Sequence, residues 1–177
     1  MSSRVSSVPS AFIRALPKAE LHLHLEGSIQ PQTLVELQKR GGKDATLRDA
    51  KELYSYRDFA GFLLAFKSVT ELLRTPGDYE LITYRLMEQL KGENVLHAEV
   101  FVSVGVCLWR QQDFHAIFDA LERGRERGQR DFGVSLLWIF DAVRQFGTDA
   151  AQRVAELAAL YRPRHVVGFG IGGDENK

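Results

Sequence analysis

The chain has 177 residues, one cysteine, and 23 each of Lys+Arg and Asp+Glu, so its formal net charge is zero and no global field draws it to nucleic acid or anionic lipid. Cys107 alone permits neither an internal disulfide nor a multi-cysteine zinc site. With 45% hydrophobic residues the chain can bury one sizeable core, yet residues 1–10 lack the apolar centre of a signal peptide and no apolar run approaches the roughly 18–20 residues of a membrane span, which points to a cytoplasmic protein without membrane association.

Residues 1–15 read as a polar N-terminal segment, with a short helix or turn over 12–16 stopped by Pro17. The stretch Ala19-Glu20-Leu21-His22-Leu23-His24-Leu25-Glu26-Gly27 follows. Along a strand alternate side chains share a face, so His22 and His24 point the same way, roughly 6.5–7 Å apart, with Leu21, Leu23 and Leu25 opposite. Two imidazoles so placed can share one metal ion, although a half-buried strand with a wet face alternates in the same way. The run ends in Glu26-Gly27-Ser28 ahead of a helix, which puts the histidines near the C-terminal end of a strand, where α/β sheets and barrels build their chemistry.

Pro31 suits the first turn of the next helix, which continues over 33–40 with Leu34 and Leu37 inward and ends at Gly41-Gly42. Residues 43–51 are polar and read as a loop. Over 57–74 the residues Phe59, Phe62, Leu63, Phe66, Val69, Leu72 and Leu73 recur at helical spacing. Phe59, Phe62 and Phe66 serve equally as core or as a wall for an aromatic base. Residues 78–91 form a further helix with Tyr79, Ile82, Leu86 and Leu90 inward, and the valine-rich run 96–106 is the second strand. A helix over 113–127 turns Phe114, Ile117, Phe118 and Leu121 inward and ends in Arg123, Arg125 and Arg127, read as a solvated terminus. The third strand spans 134–141. Thr148 is an N-cap candidate for the helix through Tyr161, and the fourth strand spans 165–171.

Four strands alternating with helical connections predict a parallel sheet with helices outside it. A closed (β/α)8 barrel takes about 250 residues, so four strands amount to half of one. His97 and His165 begin their strands, at the end opposite His22 and His24, and His115 falls in an outer helix, so none of them supplies a third metal ligand.

The stretch Leu16-Pro17-Lys18-Ala19-Glu20-Leu21-His22-Leu23-His24-Leu25-Glu26-Gly27-Ser28 resembles the opening of the adenosine deaminase family, whose first strand carries a metal-binding His-x-His after a Pro-Lys-x-Glu/Asp-Leu lead-in. Val167-Gly168-Phe169-Gly170-Ile171-Gly172-Gly173-Asp174-Glu175 resembles that family's fourth strand with its Gly-Asp-Glu ending. The resemblance runs from Leu16 onward and corresponds to the N-terminal half of a family member. It implies the N-terminal half of a (β/α)8 TIM barrel over residues 16–177, four parallel strands with outer helices.

The implied activity is zinc-dependent hydrolytic deamination of the 6-amino group of adenosine or a similar purine nucleoside, with His22 and His24 as metal ligands. In the family the remaining ligands, the proton-shuttling glutamate and the paired aspartates come from strands five to eight, so no catalytic residue is assigned in this chain and the chain alone is expected to be inactive. Glu26 matches an acidic residue that contacts the sugar, or it caps the helix that follows. Its length is a departure, since adenosine deaminases have aspartate there. Gly173 matches a glycine whose backbone approaches the purine, or it makes a tight turn. The resemblance sets a helix carrying Phe59, Phe62 and Phe66 over the pocket mouth. Ser103 and Gly105 at the end of the second strand, and Asp141 and Arg144 at the end of the third, either touch a substrate tail or are ordinary strand ends. Ser103-Val104-Gly105-Val106 and Gly170-Ile171-Gly172-Gly173 resemble members that deaminate aminodeoxyfutalosine, an adenine nucleoside of menaquinone biosynthesis with an aromatic 5′ substituent. Two other readings stand beside these: a different metal-dependent hydrolase on the same scaffold, and a non-catalytic half-barrel that self-associates through its open sheet edges.

Overall fold

The computed structural model describes residues 10–173. Four parallel strands, β1 (Lys18–His24), β2 (Val95–Val102), β3 (Ser135–Val143) and β4 (Val166–Gly172), lie in one sheet in sequence order. Parallel neighbours need crossover connections, which helices supply. α1 (Ser10–Ala15) precedes β1; α2 (Pro31–Arg40), α3 (Leu47–Leu53), α4 (Phe59–Thr70) and α5 (Pro76–Gly92) lead to β2. α6 (Val104–Trp109) and α7 (Phe114–Phe132) connect to β3, and α8 (Thr148–Tyr161) connects to β4. The arrangement, four consecutive strands joined by three helical crossovers, is that of half a (β/α)8 barrel, as expected.

The alternation of the strands divides their side chains between two faces. Ala98, Val100, Val102, Leu136, Trp138, Phe140 and Ala142 are buried toward the helices, where they meet the inward rows of α5 and α7, including Tyr79, Ile82, Leu86, Ile117, Phe118 and Leu121. The opposite face, the interior of the curved sheet, carries His22, His24, Phe101 and Asp141.

Three elements depart from the sequence reading. Residues 43–51 are not all loop, because Thr46 and Asp49 form a reciprocal capping box that starts α3. The second strand stops at Val102, since the amides of Val106 and Cys107 bond back to the Ser103 carbonyl, and burial of Val104, Gly105 and Cys107 favours helix over the β-propensity of the valines. Thr148 is the first residue of α8, with Gly147 in the cap position.

The arginine-rich end of α7 is the larger correction. Arg125 is not solvated: its side chain is 6% exposed and its Nε donates to Glu122 Oε1 at 2.8 Å. The Trp138 indole donates to the same oxygen at 2.7 Å, and His165 Nδ1 lies 2.8 Å from Glu122 Oε2. This cluster locks α7 to the N-terminal ends of β3 and β4. His97 bonds Ser135 Oγ at 3.1 Å at the same end, and His115 bonds Tyr161 on the outside, so all three histidines lie away from His22 and His24. Removing one member of a buried ion pair strands the other charge. Glu122→Ala is therefore expected to lower stability by about 3–5 kcal/mol in urea unfolding; a loss below about 1 kcal/mol would contradict the cluster's role.

Candidate metal-binding site

The last turn of β1 places His22 and His24 on the interior face with ring centroids 5.5 Å apart and planes at 68°. Burial, reinforced by the neighbouring His22, lowers the pKa of His24. The neutral imidazole that this favours is the form that binds metals. Phe101 pairs with His24 across the β1–β2 ladder, and its ring lies 4.6 Å from His22 and 5.0 Å from His24. The sequence reading missed Phe101, although the alternation from His97 through Glu99 puts it on the inward face. Among the described residues, no cluster of three or more His, Cys, Asp or Glu side chains is placed to hold a metal ion. Two nitrogen donors on one face fit part of a zinc ligand set.

Asp141 projects from β3 into the same interior. It is buried, and burial pushes its carboxyl up to about 6 against the opposing effects of the Gly172 amide and His22. The room for it comes from β4: a Cβ at position 172 would lie 2.8 Å from Asp141 Oδ2, and one at 170 would lie 3.1 Å from Oδ1. Arg144, by contrast, opens the exposed turn Arg144–Phe146 beyond the end of β3.

Glu26 points into the protein. It is 3% exposed, its Oε1 accepts the Ser103 amide at 2.9 Å, and its Oε2 is buried without a partner among the described residues. Burial first of all pushes its carboxyl up to about 7. This bond ties the 3-10 turn Glu26–Ser28 after β1 to Ser103, the residue that precedes α6 at the end of the neighbouring β2. Ser103 is buried at that junction, and Gly105 packs against the end of β3, where a Cβ would come 3.0 Å from the Val143 amide.

Phe59, Phe62 and Phe66 form a row along α4, with successive centroids 6.0 and 6.1 Å apart. Gly27 separates Phe66 from His24: a Cβ at position 27 would touch both the Phe66 ring, at 3.7 Å, and His24 Cβ, at 3.6 Å. Phe59 is 62% exposed and belongs to no core. Gly173 has φ of +114°, a conformation that requires glycine, while Asp174 and Glu175 lie outside the described residues. Glu26→Ala leaves the Ser103 amide without its acceptor and is expected to cost about 1–3 kcal/mol in thermal unfolding, whereas Glu26→Gln retains an acceptor oxygen and most of that stability. Equal stability of the two variants would refute the clasp.

The chain resembles known proteins in sequence and fold. The sequence profile of the adenosine deaminase family matches residues 17–177. An aminodeoxyfutalosine deaminase from Streptomyces avermitilis is 36% identical over 93% of this chain and 48% of its own length, and an adenine deaminase from Vibrio parahaemolyticus is 30% identical over 94% and 50%. Among solved structures, an adenine deaminase from Arthrobacter aurescens superposes with a TM-score of 0.79 at 27% identity, covering 92% of this chain and 50% of that one. An amidohydrolase from Burkholderia ambifaria with bound Zn superposes with a TM-score of 0.82 at 30% identity, covering 94% and 47%. The chain spans about half the length of the curated relatives it matches. A family profile that covers the histidine strand, the sheet and the helices between them means that this chain belongs to the adenosine deaminase family.

Proposed function

We propose that this chain carries the first half of a zinc-dependent aminohydrolase that replaces the 6-amino group of an adenine-like purine with oxygen from water and releases ammonia, as a cytoplasmic enzyme of purine metabolism. The observation that carries this reading is the pair His22 and His24, on one face at the C-terminal end of a parallel sheet, beside Phe101 and the buried Asp141. His22 and His24 hold the metal. When bound, zinc supplies Lewis acidity and makes water a usable nucleophile at neutral pH.

The chain's own residues shape the rest of the pocket. Gly173, without a Cβ, lets a flat purine approach the backbone, and Phe62 and Phe66 wall the base while the exposed Phe59 caps the mouth. Asp141 presents a carboxyl to the polar edge of the substrate, and Ser103 and Arg144 border the space for a tail. Glu26 holds the start of α6 through Oε1, which accepts the Ser103 amide, and its second oxygen, Oε2, is left for a sugar hydroxyl of the substrate. The remaining ligands and the proton shuttle are assigned to no residue of this chain. The names of the relatives, adenine deaminase and aminodeoxyfutalosine deaminase, support a 6-aminopurine as the substrate class.

The test is ammonia release by protein expressed from the intact gene, offered adenine, adenosine and aminodeoxyfutalosine. Deamination of at least one is expected. His22→Ala and His24→Ala each forfeit several kcal/mol of charge stabilisation, so turnover should fall roughly 10³-fold or more. Full activity in both variants would overturn the reading.

The sheet edges favour a second reading, in which two copies associate. Leu21 on β1, and Val167, Phe169 and Ile171 on β4, are 56, 53, 41 and 49% exposed on strands with one edge unpaired among the described residues. Such edges template pairing with another chain. Sedimentation of the 177-residue chain should then show a dimer that Phe169→Glu converts to monomer; a well-folded monomer of the unaltered chain would exclude this reading.

A further inference from the structure

Phe101 stands where three parts of the site meet. On β2 it is the ladder partner of His24, and its ring faces both imidazoles, tilted by 42° to His22 and by 28° to His24. Behind the ring lies β4. A Cβ at position 170 would come 2.8 Å from Phe101 Cε1, well inside the contact distance of two carbon atoms. The ring is wedged between two imidazoles on one side and a backbone without a side chain on the other.

Imidazole rings turn easily about their last torsion, whose energy profile is broad. Metal-binding histidines are therefore usually held in orientation by a hydrogen bond from the ring nitrogen not on the metal. Among the described residues, no such bond is made by a ring nitrogen of His22 or His24; what touches both rings is Phe101. Aromatic contacts at these centroid separations have preferred geometries and are worth about 0.5–1.5 kcal/mol each, enough to bias the torsion of a ring that no hydrogen bond holds.

We propose that Phe101 is a positioning residue for the histidine pair, fixing both imidazole planes by ring packing, and that glycine at position 170 is the backing this packing requires. The inference rests on His22 and His24 being the metal ligands. It makes position 170 intolerant of any side chain, at a distance from both ligands.

The test uses the 177-residue chain, labelled with ¹⁵N and titrated with zinc alone, while the ring nitrogen resonances of His22 and His24 are followed by NMR and the fold by thermal unfolding. Phe101→Leu keeps much of the volume but removes the flat ring. Gly170→Ala pushes the ring from behind and touches neither ligand. Gly168→Ala is the control, since its Cβ would meet Ile139 at 3.3 Å instead. The unaltered chain and Gly168→Ala are expected to titrate together. Phe101→Leu and Gly170→Ala should need about tenfold more zinc, the lower end of what loss of an orienting neighbour costs. Their imidazole resonances should already be displaced without zinc, because the aromatic ring beside them has gone or moved.

Phe101→Leu that folds, titrates like the unaltered chain and leaves the zinc-free imidazole resonances in place would overturn the proposal; should Gly170→Ala fail to fold, Phe101→Leu decides alone. Failure of the metal assignment is read separately, as His22 and His24 imidazoles that ignore zinc in protein expressed from the intact gene. The zinc-free resonances then still report whether Phe101 sets the rings.

Discussion

Parallel pairing of β1 with β2 is the constraint on which the site depends. Because the strands run the same way, their C-terminal ends share one rim of the sheet, and the register that sets Phe101 beside His24 brings ring and imidazoles together. Antiparallel pairing would send the end of the neighbouring strand to the other rim. The crossover helices that parallel pairing demands also bury one face of every inner strand, leaving the other free for polar work. His22, His24 and Asp141 occupy that second face, from two strands that are not neighbours.

Charge burial differs between the two ends of the sheet. At the N-terminal end Glu122 is saturated: Arg125, Trp138 and His165 account for both of its oxygens. At the C-terminal end Glu26 has a buried oxygen with no partner among the described residues, and Asp141 sits beside His22; burial raises the pKa of both carboxyls. A saturated cluster fixes structure, whereas under-paired buried carboxyls tend to accompany functional sites, where stability is given up for chemistry. The contrast within one sheet sets a saturated end against an under-paired one, and the proposed site lies at the second.

Shape follows a similar division. The inward positions of β4 at 168, 170 and 172 are all glycine, and the side chains of Ile139, Phe101 and Asp141 fill the space that β4 leaves. β4 thus acts as a smooth wall against which groups from β2 and β3 are set. On its other face Val167, Phe169 and Ile171 remain partly exposed, as do Leu21 on β1 and Leu96 on β2, so three of the four strands carry exposed apolar side chains.

Much of this was legible in the sequence. The spacing of His22 and His24, the alternation of strand and helix, and the inward rows of α5 and α7 all express local periodicity, which a chain carries in its residue order. What folding decided involves partners distant along the chain. Glu26 reads as a sugar ligand or a local cap, and only the fold sets its Oε1 against Ser103, 77 positions away; Arg125 reads as solvated, and its bond to Glu122 one helical turn earlier is buried only because Trp138 and His165 close on the same carboxylate. The valines after Ser103 read as strand because their propensity is local, while their burial in α6 is not. Phe101 carried no signal of its own, since an apolar residue in an apolar strand is unremarkable until the register fixes what stands opposite. Residue order determined which groups share a face, and tertiary packing decided which faces meet, because burial and hydrogen-bond partnership are properties of the folded neighbourhood and not of the chain.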